Sequence, residues 1–141
     1  MTAYSFKARF AEPIIAGTKG GTIRAPRNGR PTGIPRPGGH ARPGEMLQLY
    51  TGMRTQQCRR IADKRCLAVA PILLFFGGLP EIIVGPREDG LRYRSAESLD
   101  CFARFDGFDN FDQMAGFWDS DAFNGWHIRW LPLPLDLDPS Q

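Results

Sequence analysis

The stretch from Pro26 to Pro43 constrains the fold more than any other part of the chain. It holds five prolines, four glycines and four arginines. Proline fixes φ and lacks the N–H that a helix or sheet ladder needs, and each glycine has the most backbone entropy to lose on ordering. No regular element of ordinary length crosses such a segment, so it is expected to be a long basic loop that buries no core. The core must then be assembled from the residues on either side of it.

Those residues suffice for one domain. The chain has 141 residues, 42% of them hydrophobic and 23% charged, which fits a globular protein and excludes whole-chain disorder. A single domain over 1–141 follows, with 132–141 as a loosely held tail. The apolar run from Leu67 to Leu79 is interrupted by Pro71, Gly77 and Gly78, and falls short of the roughly 20 residues a membrane span needs. Met1 to Lys7 contains no hydrophobic signal region, so no membrane partner and a cytoplasmic location are expected. Cys58, Cys66 and Cys101 form no CxxC, and His40 and His127 have no ligand spacing around them. Reduced thiols, no metal and no cofactor are the corresponding expectations.

Charge is unevenly distributed. Residues 1–65 carry 13 Lys+Arg against 3 Asp+Glu, or +10, and residues 66–141 carry 5 against 12, or −7, which sum to the net +3. One basic face meeting an anion, most plausibly nucleic acid, is the reading that this asymmetry favours.

Alternating apolar and polar residues predict strands at 4–10, at Glu45–Gly52, at Cys58–Leu74, at Glu81–Val84 and at Trp126–Trp130. A short helix is expected over Glu12–Gly17, ended by its glycine. Ser95 has the chemistry of an N-cap for a helix carrying Leu99, Phe102 and Ala103, and another helix is expected after Asp109 or Asn110. The result is an α+β fold, a small curled β-sheet with two or three helices. The aromatic group from Phe102 to Phe123 is assigned to its core. His127 is read as a bland polar residue between two tryptophans, Trp126 and Trp130, that pack inward.

Gly17-Thr18-Lys19-Gly20-Gly21-Thr22-Ile23-Arg24 is the most distinctive segment. If a strand begins at Thr22, Thr22 and Arg24 share one face, and Lys19 reaches the same place from the preceding turn. A hydroxyl, an amine and a guanidinium together suit anion or nucleobase binding. Lys plus Thr also supports nucleophilic catalysis where the lysine is desolvated. The bare backbone of Gly20-Gly21 offers close approach and N–H groups for an oxyanion. Further along, Tyr50 can stack on a base, and Arg27, Arg54 and Arg59, with Arg60, Lys64 and Arg65, can contact phosphates.

This segment resembles the G-x-K-x-x-[T/E]-x-R signature of the ASCH domain, a PUA-like β-barrel family. Ala41-Arg42-Pro43-Gly44-Glu45, Asp106-Gly107-Phe108 and the closing Trp126–Trp130 strand are similar to further family features, in the family's order over most of residues 4–131. The resemblance implies a small curled β-barrel. It implies an RNA- or nucleotide-binding domain built around the motif cleft. The alternative it implies is a hydrolase like the small bacterial N4-acetylcytidine amidohydrolases, or a ribonuclease, in the same cleft. Carried over to this chain, Lys19 is the base, Thr22 the nucleophile, and Asp106, with Glu97 as the alternative, the assisting carboxylate. By their own chemistry, Arg24, Tyr50, Arg54, Arg27 and Arg59 are the residues expected to bind nucleic acid. RNA or a modified nucleoside is the expected partner, and the chain is a monomer or a homodimer.

Overall fold

A computed structural model describes residues 2–26 and 40–134. Among these residues the fold is α+β and mostly β, with eight strands in two sheets and three α-helices. The first sheet has the order β1 (Thr2–Phe6), β3 (Met46–Thr51), β4 (Arg59–Arg65), with β1 parallel and β4 antiparallel to β3. The second is antiparallel, in the order β2 (Gly21–Arg24), β8 (Ala122–Arg129), β5 (Ala68–Phe75), β6 (Glu81–Val84), β7 (Leu91–Tyr93). The helices are α1 (Ala11–Ala16), α2 (Ala96–Phe105) and α3 (Phe111–Ala115). No helix among the described residues is long and apolar enough to cross a membrane.

Local chemistry accounts for most boundaries. Alternation buries Thr2, Tyr4 and Phe6 on one face of β1 and Leu47, Leu49 and Thr51 on one face of β3. Gly17 ends α1 at φ 83°, the left-handed conformation that glycine adopts without strain. Ser95 caps α2 by accepting from the Ser98 N–H, and Asn110 caps α3 by accepting from that of Gln113. Leu99, Phe102 and Ala103 form the buried stripe of α2, as their helical spacing predicts.

Several expected boundaries are corrected. The strand predicted to run to Phe10 stops at Phe6. Ala8–Phe10 form a 3₁₀ turn, and Phe10 packs edge-on to Phe6, with ring centroids 6.4 Å apart. The strand predicted over 58–74 is two strands. At Cys66 the backbone N–H donates to Glu45, beside β3, whereas at Leu67 it donates to Arg129, at the end of β8. The chain changes sheets there, which an unbroken run of strand-forming residues does not disclose. Strand β7 has too few residues to show a period. Strand β8 starts four residues before Trp126, because Ala122 to Gly125 pair with Phe75 to Ile72 of β5. Pro71 is tolerated inside β5 because its pairing with β6 begins only at Ile72.

Most of the predicted basic loop, residues 27–39 with Arg27 among them, lies outside the described residues, as does the tail from 135. The loop's predicted boundary does not hold at its far end. His40 and Ala41 are buried, and His40 joins the Tyr4 hydroxyl at Nδ1 (3.0 Å) and the Ala25 carbonyl at Nε2 (2.8 Å).

Candidate functional site

Lys19 enters the core from the turn between α1 and β2. Its side chain is 2% exposed. Nζ donates to the Gly21 carbonyl at 2.6 Å and to the Asp106 carbonyl in a short contact, and it lies over the rings of Phe10 (4.8 Å) and Phe6 (5.5 Å). Burial strips water from the ammonium and lowers its pKa from 10.5 to about 8. The charge of Asp106 opposes that shift, while Arg24 and Arg9 reinforce it. Gly107 makes this packing possible: at φ 98° it carries no Cβ, which would otherwise stand 2.8 Å from Lys19 Cδ and 2.9 Å from the Phe10 ring.

Thr22 is the second residue of β2, and Arg24 follows it on the same face. Arg24 Nε donates to Thr22 Oγ1 at 3.2 Å, Nη2 donates to the Ser5 carbonyl at 2.6 Å, and the guanidinium covers the rings of Phe6 and Tyr4. Asp106 caps the C-terminal end of α2 and is 2% exposed. Its Oδ1 lies 3.0 Å from Nε2 of His127, on β8.

These residues converge on one cavity of about 260 Å³. Lys19, Thr22, Arg24 and Asp106 line it together with Phe6, Phe10, Phe108, Phe117, Trp118 and Lys7. Two segments far apart in sequence, 19–24 and the end of α2, thus bring a hydroxyl, an amine, a guanidinium and an aspartate to one aromatic-walled space. Apolar walls of this kind lower the local dielectric and strengthen electrostatic effects. Thr22 and Lys19 share the cavity without a direct hydrogen bond, since Nζ is engaged by the two carbonyls and the hydroxyl by Arg24.

The other expected site residues lie elsewhere. Glu97 is exposed in the first turn of α2 and does not line the cavity. Tyr50 is half-buried on β3, in register with Ser5 and Arg60, and is absent from the cavity wall. Arg54 is exposed in the β3–β4 turn with φ 69°, and Arg59 is exposed at the start of β4. The aromatic residues expected to be core divide. Phe102, Phe108 and Phe111 are buried, whereas Phe117 is 42% exposed and forms part of the cavity wall.

Two expectations for the glycines and the histidine are overturned. The Gly20 N–H is not available to an oxyanion, because it donates to the Phe105 carbonyl at 2.8 Å. A Cβ on Gly20 would meet the Phe105 ring and Leu131, and one on Gly21 would stand 2.7 Å from His127 Nε2. Both glycines therefore serve packing inside the protein. His127 is 1% exposed and paired with a carboxylate. Helix α2 covers its face of β8, with the Phe102 and Phe105 rings 5.3 and 6.0 Å from the imidazole. The flanking Trp126 and Ile128 face the other side of β8 and gave no signal of this, since the cover comes from α2.

Among the described residues no group of three or more His, Cys, Asp or Glu could hold a metal ion. No protein-family model, curated protein or solved structure matches the chain.

Proposed function

We propose that the cavity is the active site of a hydrolase acting on a small planar acylated substrate. An acylated pyrimidine nucleoside is the member of that class implied by the likeness to the ASCH family, whose PUA-like barrel would unite the two sheets. The observation carrying the proposal is the convergence of Lys19, Thr22 and Asp106 on one aromatic-walled space.

In this reading neutral Lys19 accepts the Thr22 proton as Oγ1 attacks the acyl carbon. A pKa of about 8 leaves roughly a tenth of the amine neutral at pH 7, far more than an ordinary lysine. The Arg24 guanidinium, already at Thr22 Oγ1, stabilises the oxyanion in place of the engaged Gly20 N–H. The Lys19 ammonium then returns its proton to the leaving amine as the C–N bond breaks. Water hydrolyses the acyl-threonine ester, giving up a proton to Lys19, and the freed hydroxyl recovers its own. The Asp106 charge favours the transient ammonium.

The test is incubation of the purified protein, and of Lys19→Ala, with N4-acetylcytidine while cytidine release is followed. Turnover that disappears in the variant supports the reading, and no turnover by the unmodified protein removes it.

The exposed cations Arg54, Arg59, Arg60 and Arg65 on the β3–β4 hairpin favour a second reading, RNA-backbone binding. It predicts an RNA affinity that falls steeply with salt, by the release of counterions from phosphates. Turnover of a nucleoside would change little over the same range.

A further inference from the structure

His127 is held with unusual completeness for a residue outside the proposed chemistry. Phe102 and Phe105 pack on its ring from α2, and Gly21 lacks the Cβ that would collide with Nε2. Its Nδ1 is buried and has no hydrogen-bond partner. A phenyl ring would fill the same space without burying an unpartnered nitrogen. What only the imidazole supplies here is a hydrogen bond to Asp106 Oδ1, 3.0 Å away.

The partner fixes the proton. A carboxylate accepts, so in the neutral ring Nε2 carries the hydrogen and the buried Nδ1 is a bare lone pair. Asp106 is thereby held at two points, its carboxylate by His127 and its main-chain carbonyl by Lys19. Lys19 and Asp106 line one cavity, yet their side chains form no ion pair, and His127 is the only group hydrogen-bonded to the Asp106 carboxylate among the described residues.

We propose that His127 is a positioning residue that holds the Asp106 carboxylate toward β8 and off the Lys19 amine, so that the amine is available as a base. Freed from His127, a buried carboxylate would turn to the nearest ammonium. The charged groups that act on Lys19 are Asp106 itself, Arg24 from β2 and Arg9 from the 3₁₀ turn. Lys19 already bonds the main chain of the same aspartate. The proposal rests on the active-site reading only for its catalytic consequence, since the arrangement itself is measurable without any substrate.

The test is an NMR titration of the Lys19 side chain in the folded protein, with the lysines labelled at Cε and Lys19→Ala used for assignment. In His127→Phe the midpoint should rise from about 8 by roughly one unit or more, because a direct ion pair favours the charged amine. In His127→Gln, whose amide can still donate to Asp106, it should stay near the wild-type value. Adding Asp106→Asn to His127→Phe should abolish the rise, which assigns it to the carboxylate. If the phenyl ring fails to pack, His127→Asn, whose amide stops short of Asp106, reports the same rise. In the unmodified protein at pH 8, ¹⁵N imidazole spectra should show Nε2 protonated and Nδ1 bare. A midpoint that is unchanged or lower in the variants lacking the donor overturns the proposal, as does a proton on Nδ1. Absence of N4-acetylcytidine turnover would leave both readouts intact and count only against the hydrolase reading.

Discussion

Trp130 donates its indole N–H to the carbonyl oxygen of Lys19 at 3.0 Å, joining residues 111 positions apart. Its own backbone N–H donates to the Gly20 carbonyl at 2.8 Å. The end of β8 therefore grips the turn that delivers Lys19 to the cavity, and the amine's position depends on the last strand as much as on its own segment.

Replacing Trp130 by phenylalanine retains most of the apolar surface but leaves the Lys19 carbonyl without its buried donor. An unsatisfied buried acceptor costs about 1–3 kcal/mol. Trp126 is half-buried, and its indole makes no hydrogen bond among the described residues. Urea denaturation should therefore show Trp130→Phe to be the more destabilising of the two tryptophan-to-phenylalanine changes. Equal losses would mean that the 3.0 Å bond contributes nothing.

Two glycines with positive φ separate backbone strain from packing around Lys19. Gly17, at φ 83°, has open space where a Cβ would go, whereas Gly107, at φ 98°, faces Lys19 and Phe10 at under 3 Å. Alanine at Gly17 should cost about 1 kcal/mol for the left-handed conformation alone. Alanine at Gly107 should cost about 1–3 kcal/mol more, since both neighbours must give way. Calorimetric midpoints of the two variants provide the comparison, and an equal loss would place the Lys19 stem elsewhere.

Thr22→Val replaces the hydroxyl by a methyl group of similar shape at a residue that is 6% exposed. Arg24 loses one acceptor but keeps the Ser5 carbonyl, so the stability change should stay within about 1 kcal/mol. Cytidine release from N4-acetylcytidine should fall by at least about 100-fold, because the nucleophile is gone while the fold persists. A variant that keeps wild-type turnover would exclude Thr22 as the nucleophile.

The parts of this site that were legible in the sequence are those governed by local chemistry. The GxKxxTxR spacing put Thr22 and Arg24 on one strand face with Lys19 beside them, and Gly17 and Ser95 marked the helix ends they occupy, while the start of α3 was narrowed to Asp109 or Asn110. Asp106 was singled out by likeness alone, and its position on the cavity wall comes from α2 ending against β8. What stayed hidden depends on contacts between distant segments. The sheet change at Cys66 follows from partners on β3 and β8. The burial of His127 requires α2 to cover a face of β8 that its own residues do not mark as covered. The roles of Gly20 and Gly21 became visible only with Phe105 and His127 in place, since a glycine that admits a ligand and one that admits a neighbouring ring look alike in a sequence. Residues such as Tyr50, Arg54 and Arg59 had the right chemistry for nucleic acid, but β3 and its turn carry them away from the cavity.

Lys19 also makes the stability of the protein depend on pH in an unusual sense. Its pKa is about 8 in the folded state, against 10.5 when the chain is exposed to water. The folded protein therefore binds fewer protons at this site than the unfolded chain between those values, and stability rises with pH there. Below pH 8 the folded state bears the full cost of a buried ammonium, about 3 kcal/mol for a difference of this size, and that cost is relieved as pH climbs toward 10.5. Lys19→Met removes the titrating group. It also leaves the Gly21 and Asp106 carbonyls without their donor, an offset that does not vary with pH over this range. Other groups titrate near pH 10, so the quantity to follow is the difference between the two proteins. Urea denaturation at pH 7, 8, 9 and 10 should show the unmodified protein gaining on Lys19→Met by about 1 kcal/mol per unit above pH 8. Attraction to Asp106 works the other way and by itself would make the unmodified protein lose ground as pH rises. The sign of the slope thus decides whether desolvation or the carboxylate dominates at Nζ. The amine's burial beneath Phe6 and Phe10, with no ion pair to the Asp106 carboxylate, favours desolvation.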